Sequence, residues 1–373
     1  MYIYQKPSWP RFTWDNEKVH QALQPVKFQQ GRLLGKMENL GFRLQEEALL
    51  KTLTDEAIKT SEIEGEVLNR DDVRSSIARH LGMDIAGLLP VSRHAEGIVE
   101  VLLDATRHYA KPLTEKRLCH WHATLFPTGM SGMMLVNPGF WRSDSEGPMQ
   151  VISGSYGRQK VHFQAPPAKK LPKEIKLFLE WFNQPKTNMD LIIKAAIAHL
   201  WFVTLHPFDD GNGRITRAIT DMVLAQAENQ PNRYYSMSTQ ITKERKAYYE
   251  ELERAQKGPL DITRWILWFL QCLHQAILKS ESLLETVLNK AKFWERHSKN
   301  ILNKRQVTML NILFDGFSGN LTSSKWAKMM KCSQDTAARD INNLIEQEIL
   351  VKSPKGGRST DFLLKDFPIK STD

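Results

Sequence analysis

The chain has 373 residues, 41% hydrophobic and 25% charged, the balance of an ordinary globular protein with room for about two domains. Its formal net charge of +9 is uneven: residues 291–373 hold 14 Lys/Arg against 9 Asp/Glu, leaving +4 for the first 290 and pointing the C-terminal part at an anionic partner. Cys119, Cys272 and Cys332 lie far apart in no metal-like spacing, which argues against a disulfide framework or a zinc site and for a reducing cytoplasm.

The opening MYIYQKPSWPRF lacks a basic segment followed by an apolar one, so no signal peptide is expected. Its aromatic and proline content predicts an ordered arm that packs on something. Helical patterning starts near Asp15, resumes at Leu40, Leu44, Ala48 and Leu49, and ends just before Gly65. Asn69–Asp72 offers an N-cap for a helix reaching Gly82, and 92–109 and 113–125 read as two more. The stretch 127–168 is rich in Gly, Ser and Pro. Within it, 149–153 and 160–164 read as the strands of a β-hairpin, with Gly154, Ser155 and Gly157 between them. Helices are predicted at 172–184, 189–205, 213–228, 242–256 and from 261 to 290 or beyond. The apolar runs 191–208 and 262–278 are broken by Lys194, His199, Arg264 and His274, so they predict buried helices, not membrane spans. In the tail, helices at 306–313, 322–331 and 333–346, with Ser333 as N-cap, precede short strands at 349–351 and 360–364 around a turn at Pro354–Arg358. A helix-turn-helix followed by a hairpin is the winged-helix arrangement.

The chemistry concentrates in His206-Pro207-Phe208-Asp209-Asp210-Gly211-Asn212-Gly213-Arg214-Ile215-Thr216-Arg217, which follows one apolar helix and opens another. Gly211 and Gly213 lack Cβ atoms, so the backbone can approach a ligand closely. The N–H groups of such a turn and of the helix start form an anion hole. Arginines at i and i+3 on a positive helix end make sense only beside a strong anion such as polyphosphate. Asp210 beside that anion calls for a cation, and magnesium shared with phosphate oxygens suits it.

These residues match the Fic signature, His-x-Phe-x-(Asp/Glu)-Gly-Asn-Gly-Arg-x-x-Arg, at every fixed position, and the chain resembles that family over about residues 35–285. It departs from the Doc-like kinase branch, which differs after the aspartate. The resemblance implies AMP transfer from ATP to a Ser, Thr or Tyr hydroxyl of a target protein or of the chain itself. It gives His206 the part of general base, Phe208 that of loop anchor, Asp210 that of ligand to magnesium or manganese, Gly211, Asn212 and Gly213 that of phosphate cradle, and Arg214 and Arg217 the β- and γ-phosphates.

Thr60-Ser61-Glu62-Ile63-Glu64-Gly65 resembles the family's inhibitory motif, (Ser/Thr)-x-x-x-Glu-(Gly/Asn), placed before the catalytic core. The resemblance implies a bidentate pair of Glu64 with Arg217 that occupies the γ-phosphate position. It makes the hairpin at about 149–164 a flap on which a target strand docks. Tyr249, Leu252 and Gln256 become adenine-pocket candidates. His199 is expected to be a satisfied core histidine, and His120 and His122, two apart on a helix, are not expected to share a metal.

The expected architecture is mainly α. It comprises an aromatic arm and helix (1–34), a Fic-type helical domain (35–290) with an inhibitory helix at about 45–65 and the flap, and a winged helix-turn-helix domain (291–373). In the tail, Thr336, Arg339 and Asn343 are candidates for DNA contact, and the arm is a candidate for homodimer formation; no membrane partner is expected. Two alternatives stay open: AMP removal with Glu64 activating water, and a DNA-binding regulator whose Fic site senses nucleotide.

Overall fold

The computed structural model describes residues 1–83, 92–145, 147–154, 159–184, 189–317, 319–353 and 361–365. The chain divides into two compact units, Met1–Glu281 and Ser282–Asp373.

In the first unit, a 3₁₀ turn at Ile3–Gln5 begins the arm. Tyr4 donates its hydroxyl to the Ala165 carbonyl (3.2 Å), and Trp9 donates Nε1–H to Glu174 (2.9 Å). Tyr2 meets the Phe163 ring edge-on at 5.1 Å. The predicted ordered arm therefore packs on its own chain, at the foot of the hairpin. Helix α1 (Asn16–Glu38) starts at Asp15, whose carboxylate accepts from the Lys18 N–H. Helix α2 (Phe42–Ile63) ends at Glu64, and Gly65 follows at φ 86°. Side-chain caps also open α3 (Arg70–His80) at Asn69, α4 (Arg93–Arg107) at Ser92 and α5 (Glu115–Leu125) at Thr114.

Two antiparallel hairpins follow: β1 (Met130–Ser131) with β2 (Met134–Leu135), and β3 (Gln150–Ser153) with β4 (Lys160–Gln164). The first is too short to leave an alternating pattern, and the sequence did not predict it. In the second, Gln150 faces Gln164 and Ser153 faces Lys160. The predicted turn residues Ser155 and Gly157 lie outside the described residues.

Helices α6 (Leu171–Phe182), α7 (Leu191–Leu205) and α8 (Asn212–Glu228) complete the scaffold of the loop. All residues of α7 after Leu191 are buried, as expected for a helix apolar on every side. The single helix predicted at 242–256 is instead two, α9 (Met237–Lys243) and α10 (Arg245–Lys257). Glu244 leaves helical geometry between them, and Ser236 caps α9 by accepting from the Thr239 N–H. That cap is held by a buried carboxylate: Glu56 of α2 accepts from Ser236 Oγ (2.8 Å), from the Ser238 N–H (3.1 Å) and from Ser238 Oγ. Glu56 thereby fixes the helix that carries Glu64 to the rest of the unit. Helix α11 (Thr263–Arg296) begins in the first unit and ends in the second.

The second unit continues with α12 (Lys304–Gly316), α13 (Ser323–Met330), α14 (Gln334–Glu346) and an antiparallel pair, β5 (Leu350–Lys352) and β6 (Phe362–Leu364). Between α13 and α14, Lys331 takes a left-handed conformation (φ 51°) and Ser333 caps the next helix. Trp326, Leu310, Ile341, Leu344 and Leu350 form its core. The predicted turn Lys355–Arg358 lies outside the described residues. Among the described residues no helix is long and apolar enough to cross a membrane.

Glu56 makes a direct prediction. Its replacement by Ala strands two buried serine hydroxyls and should lower the free energy of urea unfolding by about 1.5–3 kcal/mol. A loss within about 0.5 kcal/mol, as at an ordinary surface site, would contradict the anchoring role.

Candidate active site

The site is built where α7 stops and α8 starts. His206 terminates α7 in the left-handed region (φ 49°, ψ 56°), which non-glycine residues enter only when their surroundings hold them there. Arg142 does the holding. Its Nε–H donates to the His206 carbonyl (2.7 Å), its backbone N–H to the Pro207 carbonyl (2.9 Å) and its Nη2 to the Pro166 carbonyl (2.5 Å). Its Nη1 is anchored on Asp144 at 2.8 Å. One buried guanidinium thus joins the backbone of His206 to the foot of the β3–β4 hairpin. The His206 ring sets Nδ1 3.3 Å from the Val203 carbonyl, which can only accept; Nδ1 carries the proton and Nε2 keeps a free lone pair. Burial lowers the imidazole pKa below its usual value; the Arg142 charge adds to this, while the Val203 contact and the charges of Glu64 and Asp210 oppose it. The ring is therefore a neutral base at neutral pH.

Phe208 locks the loop from below. It is fully buried and stacks on His122 at 4.1 Å and 9°. His122 accepts from the Gly139 N–H at Nδ1 (3.0 Å), and burial pushes its pKa down to about 4. It is a neutral plate under the loop. The Asn212 side chain closes the loop, accepting from the Phe208 N–H (3.0 Å) and donating to the Phe208 carbonyl (2.8 Å). Its amide is thus committed to the backbone, and only its N–H remains for an anion. Gly211 sits at φ 76°, and a Cβ there would lie 2.8 Å from the Phe126 ring.

Arg214 and Arg217 extend from the first two turns of α8 with side chains only 6% and 4% exposed. Each is met by a carboxylate from the end of α2. Arg217 donates Nη2 to Glu64 Oε1 (2.8 Å) and to the Thr60 carbonyl (2.8 Å), and Nε to Thr60 Oγ1 (2.6 Å). The expected bidentate pair with Glu64 is instead a single hydrogen bond from Nη2; Thr60 takes two further donations, and Nη1 donates to neither Glu64 oxygen. Arg214 donates Nη1 to Glu66 (2.6 Å) and lies over the Phe126 ring at 4.9 Å. Glu64 Oε1 packs so closely on Gly213 that a Cβ there would sit 2.0 Å from it. Arg217 Nη1 and Arg214 Nε are buried with no hydrogen-bond partner among the described residues. Two unpartnered cationic nitrogens beside a glycine-lined helix start fit an anion with several oxygens.

Asp210 accepts from the Gly211 N–H at Oδ1 (2.6 Å) and from Ser131 Oγ at Oδ2 (2.5 Å), and lies 3.8 Å from Arg214. No group of three or more His, Cys, Asp or Glu able to hold a metal occurs among the described residues. A lone carboxylate suits a magnesium that shares phosphate oxygens, not one caged by protein alone.

Of the adenine-pocket candidates, Tyr249 is 38% exposed, while Leu252 and Gln256 are buried, and Gln256 donates to Thr204 (3.4 Å). The Tyr249 hydroxyl (3.4 Å) and Arg245 Nη2 (2.7 Å) both donate to the Ile63 carbonyl, so α10 caps the end of α2. His199 behaves as the expected core histidine, set between Thr220 (2.9 Å) and Tyr248 (3.0 Å), with burial pushing its pKa to about 3. In the tail, Arg339 is exposed, but the Asn343 side-chain oxygen already accepts from Gln306 (2.9 Å) and Gln347 (2.7 Å). Sequence reasoning missed Arg142, Ser131, Phe126 and Glu66. Glu66 alone left a readable signal, a second acid two residues beyond Glu64 and opposite two arginines.

Residues 112–224 match the Fic/DOC family, and residues 2–83 match a domain of unknown function, DUF4172. Among named proteins, the "probable protein adenylyltransferase" of Aquifex aeolicus is 31% identical over 98 residues, 26% of this chain and 28% of that protein. "Protein adenylyltransferase Fic" of Nematostella vectensis is 32% identical over 121 residues, 31% of this chain and 26% of that one. The matched segments span under a third of these relatives' lengths. Among solved structures, a Fic family protein from Desulfovibrio desulfuricans superposes with a TM-score of 0.55 at 21% identity, over 97% of this chain and 99% of that one. A Fic domain containing signaling protein from Bacteroides thetaiotaomicron does so with a TM-score of 0.51 at 19% identity, over 72% and 97%. At these identities the superpositions show a shared fold.

The His206 environment fixes a sign that NMR can read. Its pKa is lowered by folding, so the neutral ring persists as pH falls below about 6.5 and is lost only at the lower folded value. Replacing Glu64 by Gln removes a charge that raises the pKa and should move the midpoint further down. A His206 ring titration above pH 7 in the native chain would contradict this environment.

Proposed function

We propose, from the match of residues 112–224 to the Fic/DOC family and of residues 2–83 to DUF4172, that the chain transfers AMP from ATP to a Ser, Thr or Tyr hydroxyl of a protein, its own included, and that Glu64 restrains it. The observation that carries this is Arg217. The guanidinium is held on one side by Glu64 at 2.8 Å, while its buried Nη1, at the start of a glycine-lined helix, has no partner among the described residues.

His206 Nε2 takes the proton of the incoming hydroxyl. The oxygen then attacks the α-phosphorus, the bond to the bridging oxygen breaks, and pyrophosphate leaves. The N–H groups of Asn212 and Gly213 cradle the α- and β-phosphates, and that of Gly211, donated to Asp210 at 2.6 Å, joins them only when Asp210 releases it. Arg214 holds the β-phosphate and Arg217 the γ-phosphate. These fixed charges neutralise the growing negative charge without reorganising. Asp210 would hold a magnesium or manganese ion together with the nucleotide, and the ion would supply further charge neutralisation. While Glu64 occupies Arg217, a γ-phosphate would face a carboxylate and lose its guanidinium, so the triphosphate cannot align for attack.

A strand of the target would pair along the β3–β4 hairpin, whose foot is tied by Arg142 to the His206 carbonyl at 2.7 Å. The tail serves as a winged helix. Support comes from the tight turn between α13 and α14, the β5–β6 pair and the exposed Arg339, and a nucleic-acid backbone suits its basic charge.

Label transfer from α-labelled ATP with magnesium tests the central step. A charged hydrogen bond such as Glu64–Arg217 is worth about 1.5–3 kcal/mol, so Glu64→Gly should raise transfer about 10- to 150-fold. Adding His206→Ala should abolish it. If Glu64→Gly transferred no label with any nucleotide, AMP transfer would be refuted. AMP removal with Glu64 activating water predicts the opposite sign, loss of turnover on replacing Glu64.

A further inference from the structure

Arg214 is no more free than Arg217. Its Nη1 donates to Glu66 Oε2 at 2.6 Å, and its side chain is 6% exposed. Glu66 is placed there by the backbone. After α2, Gly65 turns left-handed (φ 86°), its N–H returns to the Glu62 carbonyl (3.0 Å), and the Glu66 N–H returns to the Ser61 carbonyl (3.0 Å). This glycine-terminated turn fixes the residues on both sides of Gly65. It therefore presents two carboxylates, Glu64 and Glu66, on one rigid corner, and each meets one of the two arginines on α8. The other Glu66 oxygen lies 3.5 Å from His94 Nδ1 at the start of α4, so the carboxylate is held from a second side.

We propose that Glu66 is a second, independent inhibitory residue, which occupies on Arg214 the position of the β-phosphate. The Glu64-Gly65-Glu66 corner then imitates a polyphosphate with two anionic groups, and full nucleotide binding requires both carboxylates to yield. This rests on Arg214 being the β-phosphate ligand, and it extends the restraint beyond the γ-phosphate. The two carboxylates differ in consequence. Glu64 competes only with a nucleotide that has a γ-phosphate. Glu66 competes with any nucleotide that has a β-phosphate, so ADP reports on Glu66 and is nearly blind to Glu64. It follows that Glu64→Gly alone leaves the site partly restrained.

The test is calorimetric titration of the full chain with Mg·ADP and with a non-hydrolysable Mg·ATP analogue, for the native protein, Glu64→Gln, Glu66→Gln and the double variant. Glutamine keeps the shape and removes the charge. Glu66→Gln should tighten ADP about tenfold, on the scale of a charge-assisted hydrogen bond, whereas Glu64→Gln should change ADP by less than about twofold. The ATP analogue should tighten in both single variants and most in the double. In label transfer, Glu64→Gly with Glu66→Gln should exceed Glu64→Gly. If Glu66→Gln leaves ADP affinity unchanged or weakens it while Glu64→Gly still transfers label, Glu66 is a bystander or a support for Arg214, and this proposal alone falls. If no variant binds either nucleotide, the phosphate site itself falls with it.

Discussion

Two guanidinium groups one turn apart at the start of α8 set the terms for the rest of the site. Cations at the positive end of a helix, with side chains almost withdrawn from water, are unfavourable unless anions meet them. The chain supplies two carboxylates from the end of α2, and much of the first unit serves to present them. Glu56 fastens α2 to α9, Arg245 and Tyr249 cap its last carbonyls, and the Gly65 turn aims the acids. Ion pairs on an open surface contribute about 0–1 kcal/mol. Held on nearly buried arginines by directional hydrogen bonds, these reach the range of about 1.5–3 kcal/mol.

His206 belongs to a second part of the same unit. The buried α7 delivers His206 to a left-handed position, and Arg142 keeps it there through carbonyls that also belong to the loop and to the hairpin foot. Phe208 and the neutral His122 beneath it leave the loop no alternative packing. His206 is thus fixed by the fold, while the two carboxylates reach the arginines from a helix end held by a few hydrogen bonds.

The loop was readable in the sequence because each fixed residue answers a local demand. Glycines allow close approach, arginines need an anion, and a histidine follows an apolar helix. Glu64 was picked out by the resemblance of the contiguous Thr60–Gly65 stretch to the family's inhibitory motif, and it lies 2.8 Å from Arg217 Nη2. The single hydrogen bond in place of a bidentate pair was not legible, because the orientation of the Arg217 guanidinium is set by its contacts with Thr60, a turn before Glu64. Arg142 lies 64 residues from His206, and no spacing rule connects a side chain to a distant carbonyl. Asn212 looked like a phosphate ligand from its place in the motif; its amide turns inward to Phe208 because the loop has few other ways to satisfy buried backbone groups. The helices were legible from periodicity, apart from the break at Glu244 and the start of α9 at Ser236, a cap held by the remote Glu56 carboxylate.

The most direct measurement is a crystal structure of the Glu64→Gly chain with magnesium and a non-hydrolysable ATP analogue. If the arginines are polyphosphate ligands freed by removal of the acid, the terminal phosphate lies within about 3 Å of Arg217 Nη1, the buried nitrogen now without a partner. The α-phosphorus then faces His206. A triphosphate bound elsewhere, or one that leaves Arg217 Nη1 without a phosphate oxygen, would contradict the claim that this corner of the fold is a carboxylate-guarded phosphate site.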